Sequence, residues 1–224
     1  MLKKTIKNIL AKKYSVLNYP VVVNSYGRSG STVLRKSIVE SIVKVNYKTI
    51  KNIAYRSIAQ PAWDLENTNL NNGVVYKTHD YPPRKDFRKD TRLLYTFADP
   101  VDVVLSLYRL YNERGEEWMQ EHYDHLKVPY TDFKDIIRED QLQLEEHLVS
   151  WLNEKRIPIA FVKYEAMWEH QEEISEFLGF QIDLIPFRKR KAQDFENKEI
   201  ISKIENTYAS LREKINQQRD FFTN

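Results

Sequence analysis

A chain of 224 residues without a single cysteine has room for a full hydrophobic core, and it excludes disulfides, thiolate nucleophiles and cysteine-ligated zinc. Hydrophobic residues at 42% and charged residues at 30% exclude the fibrous and disordered classes, and 35 basic against 32 acidic residues leave a net charge of +3, too small to mark a nucleic-acid partner. With no run of 18 apolar residues, the expectation is one domain over residues 1–224, cytoplasmic and without a membrane span.

Residues 1–20 open with an amphipathic segment in which Leu2, Ile6, Ile9 and Leu10 stand among five lysines. It lacks the unbroken apolar core of a signal peptide, so the expectation is a surface helix covering the sheet, with a membrane-surface helix as the other reading. Val21-Val22-Val23 follows as a strand, and the loop Asn24-Ser25-Tyr26-Gly27-Arg28-Ser29-Gly30-Ser31-Thr32 leads into an apolar-periodic helix running from Val33 to Val45. Such a loop binds anions. Glycines let the backbone approach a ligand, the next helix presents unpaired N–H groups, and the Arg28 guanidinium suits phosphate or sulfate oxygens. Ser31 stands where a Walker A site needs its lysine, so a triphosphate with Mg²⁺ is poorly served and turnover without metal is expected.

Residues 48–72 read as loops with short helical pieces around Ile50 to Ile58. Gly73 to Lys77 reads as a buried strand stopped by Pro82-Pro83, which places His79 just past its carboxyl end. Arg92 to Phe97 is a third strand. Asp99-Pro100 then opens a helix to Tyr111, with Asp99 as N-cap, Pro100 at the first position, and Ser106 and Arg109 on one face. The charged, aromatic stretch 115–138 carries His122 and His125 three apart; without further ligands they read as structural residues rather than a metal pair. Leu142 to Leu152 marks a core-facing helix in which His147 and Trp151 pack. Ile157 to Val162 is a fourth strand ending at Lys163-Tyr164, Met167 to Leu178 a helix closed at Gly179, and residues 197–224 a C-terminal helix.

Alternating strands and helices predict a three-layer α/β fold, a central mainly parallel sheet flanked by helices, with ligands bound beyond the strands' carboxyl ends. On that reading the Arg28 loop, Lys77, His79, the Asp99 corner and Tyr164 share one edge.

With these residues laid out, the chain resembles the sulfotransferases that use 3′-phosphoadenosine 5′-phosphosulfate (PAPS), from Val21 to about Lys191. The segments that carry the resemblance are the loop Tyr26 to Thr32, Lys77-Thr78-His79, the Asp-Pro-x-Asp-Val-x-x-Ser run from Asp99 to Ser106, and Glu146 to Trp151 leading to Phe161-Val162-Lys163-Tyr164-Glu165. The resemblance implies that Gly27, Arg28, Ser29, Gly30, Ser31 and Thr32 hold the 5′-phosphosulfate. It gives Lys77 the sulfuryl group, His79 the acceptor's proton, Ser106 the 3′-phosphate and Tyr164 the adenine. One departure stands out: the family's arginine before the Asp-Pro pair is Ala98 here. Arg109 and Arg188, the latter in the run Arg188-Lys189-Arg190-Lys191, are the available replacements, with Arg188 preferred. The implied acceptor is a small molecule, carbohydrate or lipid, bound between residues 47–70 and 111–130, with no nucleic acid and with a homo-oligomer open. A kinase on a similar scaffold and a decayed nucleotide-binding module are the rival readings.

Overall fold

The computed structural model describes residues 2–43, 48–187 and 198–224. Helix α1 (Leu2–Tyr14) precedes strand β1 (Val21–Asn24), helices α2 (Ser31–Ile42) and α3 (Lys48–Ile58), and strands β2 (Ala59–Pro61), β3 (Val75–Lys77) and β4 (Arg92–Phe97). Helices α4 (Pro100–Arg114), α5 (Glu116–Leu126) and α6 (Leu144–Leu152) follow, then β5 (Ile159–Lys163), α7 (Gln171–Leu178), α8 (Lys198–Thr207), α9 (Ala209–Asn216) and β6 (Phe221–Thr223).

The six strands form one sheet in the order β2-β3-β1-β4-β5-β6, parallel throughout except for β6, which runs antiparallel to β5. A sheet covered on both faces needs strands without a polar side. Val21, Val22, Val23, Leu93, Leu94, Tyr95 and Phe97 are all fully buried, and so are Leu34, Ile38 and Ile42 on the inner face of α2. Each such aliphatic side chain contributes about 1.5–3 kcal/mol of transfer free energy.

Strand β1 pairs with β3 on one side and β4 on the other, in register from Val21 against Val75 and Arg92. The connection leaving β1 runs towards β2 and β3, and the one leaving β4 runs towards β5, so the carboxyl end of β1 borders the crevice where such sheets take ligands. The Asp99-Pro100 corner forms as the sequence requires. Asp99 Oδ1 accepts from the Val101 amide at 2.9 Å, Pro100 fills the first turn, and Arg212 Nε donates to Asp99 Oδ2 at 2.9 Å.

Three expectations about elements change. Residues 48–58 form one helix rather than loops with pieces, and the chain continues directly into β2, an edge strand too short to show alternation. The helix expected from Met167 begins at Gln171, because Tyr164 to Ala166 form a 3₁₀ turn first. The expected C-terminal helix over 197–224 is α8, α9 and then β6, whose Phe221-Phe222-Thr223 supplies an outer strand to β5, with Phe222 stacked on Phe161 at 4.7 Å. Arg188 lies outside the described residues.

Candidate active-site cleft

The loop after β1 is built from unusual backbone. Gly27 (φ 91°), Arg28 (φ 52°) and Gly30 (φ 91°) all lie in the left-handed region, and Gly30 caps the start of α2. Left-handed backbone at these positions folds the loop tightly against the start of α2, beside the positive end of its dipole. The side chains brace that shape. Ser29 Oγ donates to the Thr96 carbonyl at 2.9 Å, and the buried Tyr26 hydroxyl donates to the Ala98 carbonyl at 2.6 Å and accepts from the Ala98 amide at 2.8 Å. Gly30 lies against the Tyr164 ring so closely that a Cβ there would come within 2.2 Å of Cδ2.

Strand β3 delivers Lys77, whose Nζ donates to Thr32 Oγ1 at 2.9 Å. A lysine from the neighbouring strand thus reaches the loop that lacks one of its own. Burial, with Arg35 and Arg28 nearby, lowers the Lys77 ammonium to about 8.

His79, two residues on, is fixed by Ser25. Its Nδ1 stands 2.6 Å from the Ser25 carbonyl and 3.2 Å from the Ser25 hydroxyl. A carbonyl only accepts, so Nδ1 carries the proton and the neutral ring presents a lone pair at Nε2. The Ser25 hydroxyl also donates to Ser31 Oγ at 3.0 Å and accepts from the Gly27 amide at 3.1 Å. One serine therefore binds the imidazole and the anion loop together. From behind, His147 Nε2 donates to the His79 and Asp80 carbonyls at 3.0 and 3.2 Å, while Asn24 Nδ2 and Trp151 Nε1 also donate to the Asp80 carbonyl. His147 and Trp151 pack, as the sequence predicts.

These groups face a cleft of about 1030 Å³ lined by Arg28, Gly30, Ser31, Thr32, Lys77, His79, Ser106 and Tyr164, with Arg109 on the same wall as Ser106. Arg28 Nε donates to Ser106 Oγ at 3.0 Å. Gly27 and Ser29 brace the loop rather than line the cleft, and Ala98 is wholly buried.

The cleft also takes in residues whose placement the sequence did not reveal. Trp63, Trp118, His122 and His125 line its other end. Trp63 stacks on His125 at 4.2 Å and on His79 at 5.5 Å, and Trp118 stacks on His122 at 5.5 Å. The ring centres of His122 and His79 are 6.2 Å apart. His122 presses on the anion loop, since a Cβ on Gly27 would meet its Cε1 at 2.8 Å, and its buried Nε2 has no hydrogen-bond partner. His122 and His125, read from the sequence as structural residues rather than a metal pair, both line the cleft, a placement set by tertiary packing that spacing alone does not reveal. No group of three metal-ligating side chains occurs among the described residues.

No family model matches the chain, and no curated protein matches its sequence. Among solved structures, mouse sulfotransferase SULT7A1 complexed with PAP is 17% identical, with 96% of this chain and 72% of that one covered and a TM-score of 0.42. Retinol dehydratase in complex with androsterone and inactive cofactor PAP is 18% identical, with 84% of this chain and 66% of that one covered and a TM-score of 0.41. At these identities and TM-scores neither likeness assigns a family, a reaction or a residue's role to this chain.

Three buried imidazoles have a consequence of their own. Burial is the main cause that holds His79 well below the ordinary 6.5, His122 down to about 3 and His147 down to about 4; Lys77 also pushes on His79 and Arg28 on His122. Below pH 6.5 the unfolded chain therefore binds more protons than the folded one, so their neutral burial favours folding above 6.5 and that stability is lost as pH falls towards 4. Thermal melts between pH 7 and pH 4.5 should show a falling midpoint, with a shallower slope in His122→Gln. An unchanged slope in that variant would show that His122 does not titrate differently on unfolding.

Proposed function

We propose that the chain is a sulfotransferase that moves a sulfuryl group from PAPS to a hydroxyl or amine of an acceptor. The observation that carries this reading is the Ser25 junction, which holds an imidazole with its free lone pair directly against an anion-binding loop and beside a half-buried lysine.

The residues fit the donor. The amides of Gly30, Ser31 and Thr32 with Arg28 and Lys77 hold the 5′-phosphosulfate, Tyr164 takes the adenine, and Ser106 takes the 3′-phosphate. Arg109 replaces the cation missing at Ala98, since it shares the Ser106 face of the cleft. When bound, PAPS supplies an activated sulfuryl group on a leaving phosphate. Lys77 and Arg28 then meet negative charge at the loop, and His79 Nε2 takes the proton from the acceptor. The wall of Trp63, Trp118, His122 and His125 receives a small-molecule, carbohydrate or lipid acceptor. The His122 imidazole there is held neutral and offers a hydrogen bond without charge.

Thermal shift with 3′,5′-diphosphoadenosine (PAP) against 5′-AMP tests donor recognition directly. The diphosphate should stabilise the protein more than AMP, and Arg109→Ala should shrink that difference while leaving the AMP shift in place. Equal shifts from both nucleotides in the parent protein would remove the 3′-phosphate site. Larger stabilisation by ATP with Mg²⁺ would favour the kinase reading.

A further inference from the structure

The charge of the chain is divided along its length in a way that its net value conceals. Residues 1–63 carry twelve basic residues and one acidic residue, Glu40, whereas residues 64–224 carry 23 basic and 31 acidic. Helices α1 and α3 lie against each other and contain no acidic residue at all. Among the described residues, no carboxylate is paired with Lys7, Lys12, Lys13, Lys51 or Arg56, each of which is exposed.

Apolar exposure is concentrated in the same place. Five large hydrophobic residues are exposed among those described: Phe187 lines the cleft, and the other four are Ile6 (47%), Ile9 (62%), Val16 (42%) and Ile53 (47%). Ile6 and Ile9 are three residues apart on α1 and share a face with Lys13, whereas Ala11, towards the opposite side, is fully buried. An N-terminal helix whose role was only to cover the sheet would turn its isoleucines inward. This one turns two outward and surrounds them with cations.

We propose that the α1–α3 face is a docking surface for a bilayer containing anionic lipid, with Ile6, Ile9 and Ile53 entering the headgroup boundary and the surrounding lysines and Arg56 meeting lipid phosphates. Charge complementarity selects this occupant: a purely apolar partner would leave the cations unused, and a second copy of the same face would set them against each other. None of the residues of α1 or α3 lines the cleft, so the inference stands independently of the proposed reaction.

Co-sedimentation of the full chain with phosphatidylcholine vesicles, with and without phosphatidylglycerol, tests it. Binding should require phosphatidylglycerol, weaken steeply as salt is raised, and fall by roughly tenfold or more in Lys7→Gln/Lys12→Gln/Lys13→Gln. Ile6→Ser/Ile9→Ser/Ile53→Ser should also lose binding while keeping the parent's cooperative thermal unfolding, which shows that it remains folded. Binding to neither vesicle would overturn the proposal. So would salt-insensitive binding to both, or a dimer that the isoleucine variant dissociates without any vesicle binding by the parent.

Discussion

Replacing His79 by alanine should lower the rate of PAPS turnover by about 10²-fold or more while leaving PAP affinity within a few-fold of the parent. The ring's donor nitrogen is committed to Ser25, so the only chemistry His79 can offer the cleft is the lone pair at Nε2. That lone pair is available because burial, with Lys77 and His122 nearby, keeps the imidazole from charging at neutral pH. Removing the ring takes away the proton acceptor without touching the amides of the anion loop. Ser25 still binds the Gly27 amide and Ser31 in its absence, so the loop should persist. Turnover and PAP affinity that fell together would mark His79 as a brace of the loop instead.

The second large effect concerns Gly30. Alanine there should abolish detectable PAP binding and destabilise the fold by roughly 1–3 kcal/mol, because two costs coincide. A non-glycine residue at φ 91° is strained, and its Cβ would stand 2.2 Å from Tyr164 Cδ2, so either the loop or the ring must move. Gly115→Ala separates the two costs. Its φ is 80° and nothing lies within 4 Å of the added carbon, so it should show the backbone strain and keep PAP binding. Equal PAP affinity in parent and Gly30→Ala would mean that the loop does not hold the nucleotide.

Much of this edge was legible in the sequence because its signals are local. Glycines and hydroxyls between Val23 and Val33 mark a turn into a helix, Asp99-Pro100 marks a helix start, and Pro82-Pro83 ends whatever precedes it. Each is a short-range steric or hydrogen-bonding rule. Strand β2 and strand β6 were not legible, being three residues each and stabilised by their neighbours rather than by their own pattern. The placement of His122 and His125 was hidden for a related reason: a pair three apart on a helix fixes a shared face, and only the packing of α5 beside Trp63 and the anion loop decides that this face is the cleft wall. The exposed isoleucines of α1 are the converse. Their spacing fits a core-facing stripe, and only the fold shows that α3 and the sheet edge take the other side of the helix, where Asn8 meets Gln60 at 3.4 Å.

In the proposed arrangement the loop after β1, Lys77 and Ser106 together hold a 3′-phosphoadenosine 5′-phosphate group beside His79. A crystal structure of the protein with PAP tests it most directly. The 5′-phosphate should lie on the amides of Gly30, Ser31 and Thr32, the 3′-phosphate near Ser106 and Arg109, the adenine by Tyr164, and His79 Nε2 should face the 5′ end. A nucleotide bound elsewhere, or one whose 5′ end points away from His79, would contradict it.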